Sequence, residues 1–233
     1  MVRRSWTLVR SLCHRGGVLR LVKPEDVRDA DVLERFRASL SDDEQARISK
    51  FIFEKDRHVR LVARGSLRQA LSDHAGGVPP SEFRFRYNEF GKPFIEQPAH
   101  LAGVGFNLSH CDGLIAILIA DGSEVGIDVE RIRPMADLLG VAHRFFAPPE
   151  VEVLRQAPEP DRLERFFRYW TLKESYLKSR GIGLSLGLDR FWFELDPGIR
   201  IRFSDGFHDD PARWTFHQQR IDPHHWLATA VAS

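Results

Sequence analysis

The stretch Val125–Pro134 reads VGIDVERIRP. Val125, Ile127 and Val129 alternate with Gly126, Asp128 and Glu130, the two-residue period of a half-buried strand. One face is apolar and belongs to a core. The other carries a glycine and two acids. Glycine inside a strand weakens it and marks a place where a ligand or another backbone comes close. Alternation sets both carboxylates on one face, about 6.5–7 Å apart along the strand. Carboxylates at that spacing converge on one hard cation. Magnesium takes one or two of them, with waters and a substrate phosphate. Two solvated acids on a surface strand fit the same pattern, so this strand alone leaves both readings open.

The chain around it has 233 residues, enough for one large domain or two small ones. A hydrophobic fraction of 42%, with 17 Phe and 5 Trp, supplies a core. The formal net charge of +1 argues against a general nucleic-acid binder, which carries a basic excess. Cys13 and Cys111 are too few for a disulfide scaffold; one bridge between them stays open, and reduced thiols in a cytoplasmic protein are the simpler reading. No apolar run reaches the roughly 18 residues of a membrane helix, so no membrane association is expected. Residues 1–17 are basic and lack the apolar core of a secretory signal. They read as a disordered leader, followed by an N-terminal half at 18–122 and a C-terminal half at 123–233, with DGSE at 121–124 as the boundary.

Along the first half, VLRLV at 18–22 reads as a strand, and 31–39 and 41–71 as helices. Ser41 with Glu44 three residues on has the capping-box pattern. Arg57, Arg60, Arg64 and Arg68 recur at three and four residues, forming one basic stripe. The stripe is either a solvated face or a binding surface. Residues 83–95 read as a strand interrupted by a Gly-Lys-Pro turn. In 104–120 a strand and a polar interruption, NLSH, precede LIAILIA, a strand buried on both faces. In the second half, helices are expected near 135–146, from Pro149, and over 161–180, the last ended by Gly181. Strands follow near 190–196, 199–204, 213–221 and 225–232.

Glu174 and Lys178 lie four apart on the 161–180 helix and share a flank. Ser109 and His110 abut the buried strand. The ordered set is Gly91-Lys92-Pro93, Asn107-x-Ser109-His110, Gly126-x-Asp128-x-Glu130 and Trp170-x-x-Lys173-Glu174-x-x-x-Lys178, flanked by RFF at 144–146 and GLSL at 183–186. Over residues 41–195 it resembles the 4′-phosphopantetheinyl transferase superfamily, in its longer, Sfp-type branch.

That resemblance implies an α+β fold of two similar α/β halves forming a pseudo-dimer, with the active site in the cleft between them. It implies magnesium-dependent transfer of the phosphopantetheine arm of coenzyme A to a serine of an apo acyl carrier protein or a peptidyl or aryl carrier domain, releasing 3′,5′-adenosine bisphosphate. Asp128, Glu130 and Glu174 match the magnesium-binding acids, with Gly126 keeping the approach open. Glu174 also matches the general base, and Lys178 the residue that stabilises the pyrophosphate or the departing bisphosphate. Lys92, Ser109 and His110 match further phosphate contacts, and Asp128 faces the coenzyme through its metal. Arg47, Arg60 and Arg64 match the grip on the 3′-phosphate. Members of that family often have a second basic residue three before Arg47, where this chain has Glu44. Leu138, Leu139 and Val141 match a carrier-facing helix. A monomer is expected, since an internal pseudo-dimer needs no second copy. Two other readings of the same acids are a metal-dependent phosphodiesterase and a catalytically silent module that binds coenzyme A or a carrier protein.

Overall fold

The structure is a computed structural model. It describes residues 7–11, 17–122 and 124–233, without the side chains of 7–11, 184 and 185. Cys13 and the rest of 1–6 and 12–16 lie outside the described residues. The fold is α+β and divides into two compact units, Met1–Asn88 with Pro93–Ser123, and Glu89–Lys92 with Glu124–Ser233.

The first unit opens with β1 (Thr7–Ser11) and β2 (Val18–Val22), so part of the expected leader is strand. Helices α1 (Ala30–Ser39), α2 (Asp42–Ser49) and α3 (Glu54–His74) follow. Next come the hairpin β3 (Arg84–Tyr87) and β4 (Pro93–Gln97), then β5 (Val104–Cys111) and β6 (Leu114–Asp121). A four-stranded antiparallel sheet runs in the order β1-β2-β6-β5. NLSH is part of β5, and the interruption expected there falls at the Asp112-Gly113 turn, where Gly113 has a φ of 86°. LIAILIA is buried along its length, as its composition demands. Phe106, Ile115, Ile117 and Ile119 pack with Val62, Leu67 and Leu71 of α3 and Phe36 of α1.

The helix expected over 41–71 is two helices, broken at 50–53. Ser41 closes the capping box with Glu44, as its spacing indicates. The chain then turns at Phe51-Ile52-Phe53, and Arg57 holds the turn by donating from Nη1 to the carbonyls of Phe51 (2.7 Å) and Ile52 (2.8 Å). The arginine stripe is likewise not one solvated face. Arg68 is 1% exposed, while Arg60 stays on the surface.

The second unit contains β7 (Val125–Arg131), α4 (Leu138–Phe145), α5 (Pro148–Gln156) and α6 (Glu159–Arg180). A hairpin of β8 (Phe191–Glu194) and β9 (Arg200–Phe203) follows, then β10 (Trp214–Asp222) and β11 (His225–Ala232). Its antiparallel sheet has the order β10-β11-β7. Helix α6 crosses this sheet and ends at Gly181, whose left-handed φ of 63° suits only glycine without strain. Its core is aromatic. Phe146, Phe166 and Trp170 stack, and Tyr176 packs edge-on to Trp214.

Candidate active site

The acid-bearing face of β7 is not open to solvent. A Cβ placed on Gly126 would lie 2.0 Å from the Ser175 carbonyl oxygen and 2.5 Å from the Ser179 amide nitrogen. The glycine therefore admits the backbone of α6. It does not hold open a path for a ligand, which corrects the sequence expectation. Two residues on, Asp128 is 3% exposed, and Lys178 of α6 donates to its Oδ1 at 2.5 Å. Glu130, a further two residues on, is only partly buried where the strand emerges. Glu174 stands one helical turn before Lys178.

Electrostatics ties these groups together. Burial, and then the charge of Asp128, push the Glu130 carboxyl up to about 7, against the pull of Arg133, Lys178 and the indole N–H of Trp170. Burial and the same Asp128 raise Glu174, while Lys178 opposes the shift. Glu130 and Glu174 thus each feel the charge of Asp128, and Lys178 offsets both shifts.

Lys92 is also buried. Its ammonium donates to the carbonyls of Val125 (3.3 Å) and Ser179, which fastens segment 89–92 to β7 and the end of α6. Burial pulls it down to about 8, opposed by Glu124.

The motif residue Lys173 shares a side of α6 with Phe166, Trp170 and Leu177, and it is fully buried. Its ammonium donates to Glu150 Oε2 (2.7 Å) and to the carbonyls of Leu188 (2.7 Å) and Phe191 (2.6 Å), and lies over the Phe191 ring. Glu150 Oε2 also accepts from the Ala147 amide (3.2 Å), and Oε1 accepts from the Phe193 amide (3.0 Å). This knot joins α5, α6 and β8. Sequence reasoning missed the pairing; the signal was a lysine inside an aromatic helix face. Leu138, Leu139 and Val141 of α4 pack partly against the aromatic core.

In the first unit, Arg47 lies on α2 with its guanidinium 5.3 Å from the centre of the Tyr87 ring, and Arg60 on α3 lies 4.8 Å over Phe51. Neither makes an ion pair with a carboxylate among the described residues. Arg64 is half-buried on α3. Ser109 and His110 are neighbours on β5 and point to opposite faces of the sheet. His110 shares its face with Phe106, which packs against α3. Glu44 is buried and paired with Arg68, so position 44 is taken into the interior.

The donor set suits a hard cation: carboxylate oxygens in a partly desolvated site whose mutual repulsion a divalent ion relieves. Among the described residues, no group of three or more His, Cys, Asp or Glu is drawn together closely enough to hold a metal ion by itself.

Comparison with known proteins bears directly on this arrangement. Residues 124–231 match the profile of the 4′-phosphopantetheinyl transferase superfamily, and residues 28–122 match that of the 4′-phosphopantetheinyl transferase N-terminal domain. A phosphopantetheinyl transferase of Thraustochytrium is 33% identical over 210 residues, covering 84% of this chain and 72% of that one. The chain belongs to the 4′-phosphopantetheinyl transferase superfamily. The 4′-phosphopantetheinyl transferase Sfp of Bacillus subtilis is 31% identical over 201 residues, 85% of each chain. The 4′-phosphopantetheinyl transferase HetI of Nostoc is 40% identical over 153 residues, 66% of this chain and 64% of its own length. The protein is thus a transferase of the longer, two-part phosphopantetheinyl type, and its two units correspond to the two matched profiles. No described helix is long and apolar enough to cross a membrane.

Proposed function

We propose that this phosphopantetheinyl transferase moves the 4′-phosphopantetheine arm of coenzyme A onto a serine hydroxyl of an apo acyl carrier protein, or of a peptidyl or aryl carrier domain. The observation that carries the reading is the coupled set on β7 and α6, in which Asp128 raises both Glu130 and Glu174 while bonded to Lys178. Asp128, Glu130 and Glu174 would hold magnesium, which supplies charge neutralisation and Lewis-acid polarisation of the coenzyme pyrophosphate.

The residues divide the remaining work. Glu174 takes the proton from the serine hydroxyl; burial and Asp128 hold its carboxyl above the ordinary value, which makes its carboxylate a stronger base than a free one. The serine oxygen bonds to the pantetheine phosphorus, and the phosphoanhydride bond to adenosine 3′,5′-bisphosphate breaks. Lys178 exchanges its contact with Asp128 for the phosphate and stabilises the charge that develops on the leaving group. Arg47 and Arg60, stacked on aromatic rings and not spent on carboxylates, bind the 3′-phosphate through planar forks, with Arg64 beside them. His110 and Ser109 add phosphate contacts from β5. Lys92 contributes from segment 89–92, where it secures the end of α6. The exposed positions of α4 face the carrier. The enzyme works as a cytoplasmic monomer.

The test is intact-mass spectrometry of an apo carrier protein mixed with coenzyme A, magnesium and the enzyme. The expected result is a gain of one phosphopantetheine that a chelator abolishes and that Glu174→Gln reduces by at least about a hundredfold with the fold unchanged. A Glu174→Gln variant with near wild-type turnover would remove Glu174 from the mechanism.

A further inference from the structure

Arg47 is placed by two elements, and a single buried side chain fastens both. Arg68 of α3 is 1% exposed. Its Nε and Nη2 donate to Glu44 Oε2 at 3.0 and 2.7 Å. Its Nη1 donates to the carbonyls of Pro80 (2.8 Å) and Phe83 (3.0 Å), and its guanidinium lies 5.0 Å over the Phe85 ring. Glu44 is the third residue of α2, where its carboxylate also accepts from the Ser41 amide at 3.0 Å. Arg47 follows one turn later on the same short helix. On the other side, Phe83 and Phe85 lead along β3 to Tyr87, the ring on which Arg47 stacks.

We propose that Arg68, acting through Glu44, is a positioning residue for the anion grip: it sets α2 against β3 so that Arg47 rests on Tyr87 and points its fork at the 3′-phosphate. Selectivity for the 3′-phosphate then depends on how accurately Arg47 is held. Gln45, which donates to the Arg37 and Leu40 carbonyls, and Ile48, which packs on the core, hold the rest of this eight-residue helix. The proposal rests on the reading of Arg47 as a phosphate-binding residue.

The test compares coenzyme A with 3′-dephospho-coenzyme A as substrates for wild type, Arg47→Ala and the double variant Glu44→Gln/Arg68→Met. The double variant removes both buried charges together, which interiors tolerate, and leaves a side-chain oxygen at position 44 to cap α2. Arg68→Lys is the second variant; it keeps the charge and loses the fork. For the double variant the expected result is a KM for coenzyme A raised roughly tenfold, the loss of about one charge-assisted hydrogen bond. Its kcat should stay within about twofold, and its preference for the 3′-phosphate should fall toward that of Arg47→Ala. Arg68→Lys should lie between. A purely structural role would lower the melting temperature and leave the preference alone. A folded double variant with wild-type preference, beside an Arg47→Ala variant that has lost it, overturns the positioning role and leaves the phosphate grip standing. An Arg47→Ala variant that keeps the preference overturns the grip itself.

Discussion

The most direct probe of the site is the smallest substitution in it, Gly126→Ala. The added methyl would meet the Ser175 carbonyl oxygen at 2.0 Å and the Ser179 amide nitrogen at 2.5 Å, and both are helix backbone that no rotamer change can move aside. Ordinary contact begins at 3.4 Å, so α6 must retreat from β7 by about 1.4 Å, the gap between 2.0 and 3.4 Å. Overpacking of this kind costs about 1–3 kcal/mol. In a chain of this size that lowers the melting temperature by about 2–4 °C per kcal/mol. The functional effect should be larger than the structural one. Lys178 bonds Asp128 at 2.5 Å across the same helix–strand contact, and Glu174 rides on the same helix. A shift of about 1 Å in a reacting group costs about a hundredfold in rate. Thermal unfolding followed by fluorescence, together with intact-mass assay of carrier modification, measures both. The expected variant is folded, melts a few degrees early and turns over about a hundredfold more slowly. A variant that melts early with turnover within about threefold of wild type would show that the closeness of α6 to β7 serves packing alone.

Two further outcomes follow from buried lysines. Burial holds the ammonium of Lys92 down to about 8, against 10.5 for an ordinary lysine. Between those values the unfolded chain binds the proton and the folded chain does not, so stability rises with pH through that window. The wild type should therefore gain on Lys92→Met between pH 8 and pH 10 in denaturant unfolding, and a constant difference would refute the assignment. For the Glu150–Lys173 knot, Lys173→Met alone leaves an unpaired buried carboxylate and should destabilise by about 3–5 kcal/mol. Glu150→Met/Lys173→Met should recover most of that loss, as read by a denaturation double-mutant cycle; additive losses would mean that the pair is not coupled.

Much of the architecture was legible because it rests on local rules. Alternation in VGIDVER, the unbroken apolar run of β6, the Ser41–Glu44 box and the Gly181 stop each carry their own signal. The break at 50–53 did not, because it depends on the Arg57 guanidinium capturing two carbonyls rather than on a glycine or proline. The site was partly legible. Spacing set Glu174 and Lys178 on one flank and Asp128 and Glu130 on one face. It could not tell that the glycine beside them admits a helix, nor that Arg68 and Lys173 turn inward. A basic residue within a helical stripe reads as solvated until its partner is known, and Glu44 and Glu150 lie more than twenty residues away in sequence.

Those two inward cations have a common logic. Glu44 and Glu150 are each the third residue of a short helix, and each accepts from the backbone amide at its helix start, Ser41 or Ala147. Arg68 and Lys173 are each the fifteenth residue of the long helix that follows. Each donates to its glutamate and to two carbonyls downstream, Pro80 and Phe83 in one unit and Leu188 and Phe191 in the other. Five residues further on, the long helix pairs with a strand: Asp73 with Arg20 of β2 at 2.7 Å, and Lys178 with Asp128 of β7 at 2.5 Å. The frame is the same and the charges are exchanged. Gln69 follows Arg68 where Glu174 follows Lys173, and Val22, two residues beyond Arg20, takes the place that Glu130 holds two beyond Asp128. The first unit therefore presents an arginine, an amide and a valine where the second presents three carboxylates. One frame has been used twice, and only its second copy carries the three carboxylates. On this account exchanging Arg20 and Asp73 would give the first unit at most one of the three acids.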